Sequence, residues 1–262
     1  MSSTHAAEVS SVVNNGTFRS EESGKKLTFV LGGQYIAWTT VFTKPLLVWE
    51  TETSYPRYYI PVASLYGGID RDNRGGPASV VTVEQVNGKD GSLHAMIESM
   101  TVGAKKTTWA RFVEGPLKGY IRFDLSELDA WFENGAIANA IKNPYKRIDT
   151  HTVNHKIVIK VDGEVVAQSK VAVVLNETRA KEVYYLPATS ILDWGKVEKS
   201  DLKTTCPYKG EAWYLSLTVR GEKYENLIWY YPYPTHESSA VEGLISFYNK
   251  DGVDILVDGL KV

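Results

Sequence analysis

An internal repeat constrains this chain more than any other feature. Leu27–Leu65 reads LTFVLGGQYIAWTTVFTKPLLVWETETSYPRYYIPVASL, and Ile157–Leu192 reads IVIKVDGEVVAQSKVAVVLNETRAKEVYYLPATSIL. Gly33 lines up with Gly163, Glu50-Thr51 with Glu177-Thr178, and Tyr58-Tyr59-Ile60-Pro61 with Tyr184-Tyr185-Leu186-Pro187. Self-similarity over such a span means that one structural unit is built twice. Each copy opens as a β-hairpin. In the second, Ile157, Ile159 and Val161 alternate with polar residues before Asp162-Gly163, and apolar runs follow at Val165-Val166 and Val171–Leu175. Asp-Gly between β-rich runs is a hairpin turn, and the first copy has Gly32-Gly33 in its place.

After Leu65 the copies diverge. Tyr66–Asn73 and Gly75-Gly76-Pro77 read as loop, and Ser79–Val86 and His94–Val102 as strands around the turn Asn87–Gly91. This makes 66–106 an expected inserted hairpin. Phe123–Phe132 reads as a helix, capped at Ser126, with Leu125, Leu128, Trp131 and Phe132 on one face. In the second copy strands are expected at Ala212–Val219 and Tyr224–Tyr231. A short helix follows from Ser238 or Ser239 through Val241, Leu244, Ile245 and Tyr248. Met1–Gly24, rich in Ser, Thr, Asn and Glu, reads as a mobile tail. The expected organisation is a tail over 1–24, a first repeat with insertion and helical linker over 25–150, and a second repeat over 151–262. Strands outnumber helices, so the fold class is mainly β.

Charge and cysteine usage exclude several functions. A formal charge of −2 argues against a dedicated partner in nucleic acid or anionic membrane, which calls for a basic face. One cysteine, Cys206, permits no intramolecular disulfide and no cysteine-based zinc site. The histidines show no metal-ligand spacing, so no metal is expected, and no phosphate or dinucleotide motif calls for a cofactor. No apolar run spans a bilayer and no secretory signal is apparent, which gives a cytoplasmic expectation. The oligomeric state is left open.

Aromatic residues are abundant: seven Trp and sixteen Tyr, many in adjacent pairs such as Tyr184-Tyr185, Trp213-Tyr214 and Trp229-Tyr230-Tyr231. Neighbours on a strand point to opposite faces, so each pair can put one ring in the core and one over a groove, or both into sheet packing. The pairs surround Thr205-Cys206-Pro207-Tyr208-Lys209-Gly210 and Glu225-Asn226-Leu227-Ile228-Trp229-Tyr230-Tyr231-Pro232. Together with Glu177-Thr178, Tyr184–Pro187 and the closing Phe247-Tyr248-Asn249, these strings resemble domain-of-unknown-function family 427. The match covers most of 26–259 and the layout looks like its two-copy members. The resemblance implies two β-tent-like antiparallel domains with short helices, each a pair of sheets leaning over a cleft. It also carries a nucleotidyltransferase-like label, which no Gly-rich loop or Asp-x-Asp pair in this sequence supports. Related tents hold zinc through cysteine pairs that this chain lacks. The Cys-Pro-Tyr-Lys-Gly string is absent from the first copy, which makes the second the better host for a site.

The candidate residues each have a structural alternative. Cys206 is a nucleophile if a cation such as Lys209 lowers its pKa, and otherwise a buried apolar residue that helps line the cleft. Lys209 is an anion anchor or a solvated turn residue, and Tyr208 could desolvate it or stabilise an oxyanion. Glu177 is a general acid or base, or a turn acceptor, and its repetition at Glu50 favours the latter. Strand alternation places Glu225 with Trp229 and Tyr231 on one face, an acid beside two aromatics. Trp213, Tyr184 and Arg57 complete the substrate-binding set. These residues suggest a cofactor-independent isomerase- or cyclase-type enzyme, acting by acid–base chemistry on a small, largely apolar molecule. The alternative is a module that binds a small molecule or peptide without turnover. A cleft carboxylate with a raised pKa would favour the enzyme.

Overall fold

The computed structural model describes residues 2–52, 55–66 and 79–262, so the expected Gly75-Gly76-Pro77 loop lies outside the described residues. The chain forms two compact units, Met1–Ile141 and Lys142–Val262. Both are built from antiparallel sheets, with one α-helix and short 3-10 turns among the described residues.

In the first unit Leu27, Phe29 and Leu31 turn inward while Thr28 and Val30 are only half-buried, as a strand with one core face requires. Leu27–Leu31 and Gln34–Trp38 form the predicted hairpin, extended by Ala130–Glu133 and Ala136–Ile137. A second sheet runs, in spatial order, Arg19–Glu22, Leu46–Trp49, Arg57–Pro61, Tyr120–Phe123, Lys105–Phe112, Leu93–Val102 and Ser79–Asn87. Phe29, Tyr58, Trp109, Phe123 and Trp131 fill the core of this unit.

The second unit repeats this design. Ile157–Val161 and Glu164–Ser169 form the hairpin, extended by Val253–Val257 and Leu260–Lys261. Ile148–Val153, Ala172–Glu177 and Val183–Tyr185 pair in that order, and Ile245–Phe247, Glu222–Tyr230, Gly210–Val219 and Val197–Cys206 continue beyond them. The two runs meet only at a bridge between Leu186 and Ile245, where the first unit has a ladder between Ile60 and Ile121. Among the described residues, the eleven strands of each unit follow one another in chain order and take the same neighbours.

That shared order corrects the expected insertion. The hairpin of Ser79–Asn87 and Leu93–Val102 occupies the place that Val197–Cys206 and Gly210–Val219 hold in the second unit. It belongs to the repeat. Sheet pairing runs through the backbone, so a shared topology leaves little trace in side chains. The turn around Asn87–Gly91 therefore stands where the second unit has Cys206–Gly210.

Three other expectations change. Residues 1–24 are not a free tail: Ser2–Asn15 is an α-helix whose Ala6, Val9 and Val12 are buried, and Arg19–Glu22 pairs with Leu46–Trp49. Phe123–Phe132 is not a helix. A 3-10 turn at Leu125–Glu127, with the Asp124 side chain accepting from the Ser126 N–H, breaks it between two strands. The stretch after Thr235 is a 3-10 segment, His236–Val241, followed by the strand Ile245–Phe247. The apolar spacings that suggested helix are carried instead by 3-10 turns and short strands, in which Trp131, Val241 and Ile245 are buried.

Candidate functional site

The site is built on the turn Cys206–Gly210. Gly210 has φ +99°, and a Cβ there would meet the Tyr233 carbonyl oxygen at 2.9 Å, so only glycine fits. The Thr235 N–H donates to the Lys209 carbonyl at 3.2 Å, and the Ser238 hydroxyl to the Tyr208 carbonyl at 3.1 Å. The turn is thus tied to the following segment and Lys209 is aimed inward. Its Nζ lies 2.5 Å from Glu177 Oε2, and Lys146 binds the other carboxylate oxygen. Glu177 and Lys209 are 10% and 16% exposed, so the pair is largely shielded from solvent. Burial alone would raise the Glu177 pKa. Hydrogen bonds from Lys146 and Lys209, with their charges, outweigh it and hold the carboxyl below its ordinary range. Tyr208 is buried, accepts from the Asn143 N–H at 2.6 Å and carries Lys146 Nζ 5.5 Å above its ring.

Beside this ion pair lies a cluster of rings. Tyr185 meets Trp229 edge-on at 6.2 Å and Tyr231 at 6.4 Å, and Trp229 packs on Tyr248 at 4.5 Å. Tyr214 stacks on Tyr248 at 6.4 Å, and its hydroxyl lies 2.8 Å from Thr204 Oγ1. The Trp229 indole N–H donates to the Tyr185 hydroxyl at 3.2 Å. Burial pushes the Tyr185 and Tyr231 phenols well up, and that of Tyr248 to about 12, so all three stay protonated at neutral pH. The Tyr231 hydroxyl, on a residue 5% exposed, makes no hydrogen bond among the described residues. A cavity of about 430 Å³ adjoins the cluster, lined by Tyr184, Trp229, Ser246, Phe247, Lys181 and Asn249.

Of the residues expected at the site, Lys209, Glu177 and Tyr208 meet at the turn and Trp229 and Tyr231 at the ring cluster, while Cys206 is half-buried at the end of the strand Val197–Cys206. Tyr184 lies on the cavity wall with its hydroxyl on Glu182 at 2.9 Å. Glu225 is exposed and joins neither group. Asn226 adopts φ +53° and the pairing register shifts between Leu215 and Leu217, so the alternation that linked Glu225 to Trp229 is broken. Trp213 is carried with Tyr230, 6.1 Å away, under Lys203 Nζ at 4.3 Å, apart from Tyr214 and Trp229. Arg57 belongs to the first unit, paired with Glu8 and Glu50. The sequence missed Tyr185, Tyr214, Tyr248, Lys146 and Ser246. The adjacent aromatic pairs flagged the first two, yet nothing local says which member of a pair faces the cleft.

No group of three or more His, Cys, Asp or Glu among the described residues is arranged to hold a metal ion. No helix among them is long and apolar enough to cross a membrane. Residues 149–259, within the second unit that carries the ring cluster, match a family described as Domain of unknown function (DUF427). No curated protein matches the chain.

Proposed function

We propose that the second unit captures a small molecule with an apolar, flat body and an oxygen that accepts hydrogen bonds from the tyrosines. The observation that carries this reading is the Tyr231 hydroxyl, which makes no hydrogen bond among the described residues and sits on a side chain packed with Tyr185 in the ring cluster. A hydrogen bond from that hydroxyl to a ligand oxygen would contribute about 0.5–1.5 kcal/mol. The neighbouring cavity is of the size small molecules occupy, and its wall is largely aromatic and aliphatic. Glu177 favours binding over turnover. Its pKa is held down by two lysines, whereas a general base working near neutral pH needs a carboxyl shifted upward.

The second reading is the cofactor-independent isomerase- or cyclase-type enzyme. It draws support from neutral phenols beside the Lys209–Glu177 pair: a tyrosine would donate a proton or hydrogen bond to a developing oxyanion while Lys209 stabilises the charge. A small-molecule extract incubated with wild type and with a Trp229→Ala, Tyr231→Phe double variant separates the two by mass spectrometry. Retention of a compound by wild type alone supports binding, and its conversion by wild type alone supports the enzyme. Equal behaviour of the two proteins towards every compound would overturn both.

A further inference from the structure

The repeat assigns positions in the first unit to those of the ring cluster. Tyr59 corresponds to Tyr185 by the shared Tyr-Tyr-aliphatic-Pro string, and Ile60 and Leu186 pair with Ile121 and Ile245. Arg122 then corresponds to Ser246. Through cross-strand partners, Ala110 corresponds to Trp229 and Ile97 to Tyr214, which leaves Phe112 at the place of Tyr231. Ala110, Ile97 and Phe112 are smaller or apolar beside their counterparts, and Ala6, Val9 and Val12 of the helix Ser2–Asn15 pack in one cluster with them and Tyr59. The acidic residue repeats as well. Glu50 accepts from the Tyr59 hydroxyl at 2.9 Å and from Arg122, which is 1% exposed. Arg57 Nε lies 3.6 Å from the same carboxylate. Two guanidinium groups thus face one carboxylate of the sheet. Glu8, from the helix, supplies the second, 3.2 Å from Arg122 and 3.3 Å from Arg57. The fit is incomplete. Arg122 Nε is buried without a hydrogen bond, and a cavity of about 60 Å³ remains beside Val12, Phe112 and Leu117.

We propose that the first unit holds a ligand site of its own, for a carboxylate on an apolar chain. The helix Ser2–Asn15 keeps it closed, with Glu8 in the place of the ligand's carboxylate and Val9 and Val12 in the place of its apolar part. The proposal goes beyond the reading of the second unit and needs only residues of the first. The helix is a weak plug by composition. It has no acidic residue in its first turn and no basic one in its last, and Ser, Val and Asn fill its second half. A helix of this length does not hold by itself in water, so its order depends on docking.

The test is peptide-resolved hydrogen–deuterium exchange and calorimetry on the full chain, with sodium octanoate as probe and octanol as uncharged control. Octanoate, and not octanol, should speed exchange across Ser2–Asn15. Glu8→Gln should raise octanoate affinity about tenfold, because the competing internal carboxylate is gone. Arg57→Gln, at a half-exposed position that tolerates change, should weaken it several-fold, and Arg122→Met should abolish it if that variant folds. Unchanged exchange of Ser2–Asn15 at saturating octanoate would overturn the proposal. So would equal effects of octanol, or equal affinities in wild type, Glu8→Gln and Arg57→Gln.

Discussion

At the level of single residues, the second unit contrasts one satisfied group with one unsatisfied group. Glu177 is held by Lys209 and Lys146, so replacing Lys209 by Met removes half of its compensation. We expect a loss of about 1–2 kcal/mol in urea unfolding at neutral pH, less than for a wholly unpaired buried charge because Lys146 remains. The pH dependence follows from the lowered Glu177 pKa. Its contribution is complete above the unfolded carboxyl value of 4.5 and is lost as pH falls through the lower folded value. In Lys209→Met the folded pKa rises towards the unfolded one, so this acid-dependent loss should shrink, and parallel urea series between pH 3 and 6 would read it. Tyr231→Phe behaves oppositely. Its hydroxyl makes no hydrogen bond among the described residues, so its removal should change stability by less than about 0.5 kcal/mol in the same assay while weakening ligand capture. Asn226 is a third case, at φ +53° in the strand Glu222–Tyr230. Asn226→Val should cost about 1–2 kcal/mol because a β-branched residue resists that conformation, and Asn226→Gly should be tolerated in thermal unfolding.

Among the elements, the helix Ser2–Asn15 is the one whose stability is borrowed. Val9 is fully buried against Tyr59, Ile97 and Phe112, and Val9→Asp should release the helix and make its amides exchange as a free chain. The burial of three small apolar side chains is worth about 2–4 kcal/mol, enough to dock the helix and small enough to be competed away. Acid should loosen it too. His5 is buried with Nε2 lacking a hydrogen bond. Its pKa is lowered by burial and by Arg122 against the opposing pull of Asp124, Glu8 and Glu127. A lowered folded pKa means that the docked state is fully favoured above the unfolded value of 6.5 and weakens as pH falls below it. Protection factors of residues 2–15, taken against the intrinsic exchange rate at each pH, should therefore fall between pH 6.5 and 5, and His5→Leu should remove that dependence. The strand Glu222–Tyr230 shows the other way an element sets a site. Its shift of register at Asn226 turns Glu225 to solvent while Trp229 stays on the ring cluster.

For the whole molecule, each unit holds its own apolar cores, around Phe29 and Trp109 in the first and around Ile159 and Leu217 in the second. Residues 142–262 produced alone should accordingly fold, with dispersed amide resonances as the readout, and collapse of that fragment would show that the unit depends on the rest of the chain. The sequence by itself determined that one β design is used twice and that its hairpins turn at Gly32-Gly33 and Asp162-Gly163. Those features are local: turn chemistry and alternation act between residues a few positions apart. Only the tertiary structure decided that the hairpin of 79–102 is part of the repeat, and that residues 2–15 lie as a helix on the first unit. It also decided that Tyr185 and Tyr214, rather than Tyr184 and Trp213, join the ring cluster. The reason is physical. Which face of a strand is covered depends on register, and register is set by backbone pairing with strands distant in sequence, where a single bulge reverses every side chain beyond it.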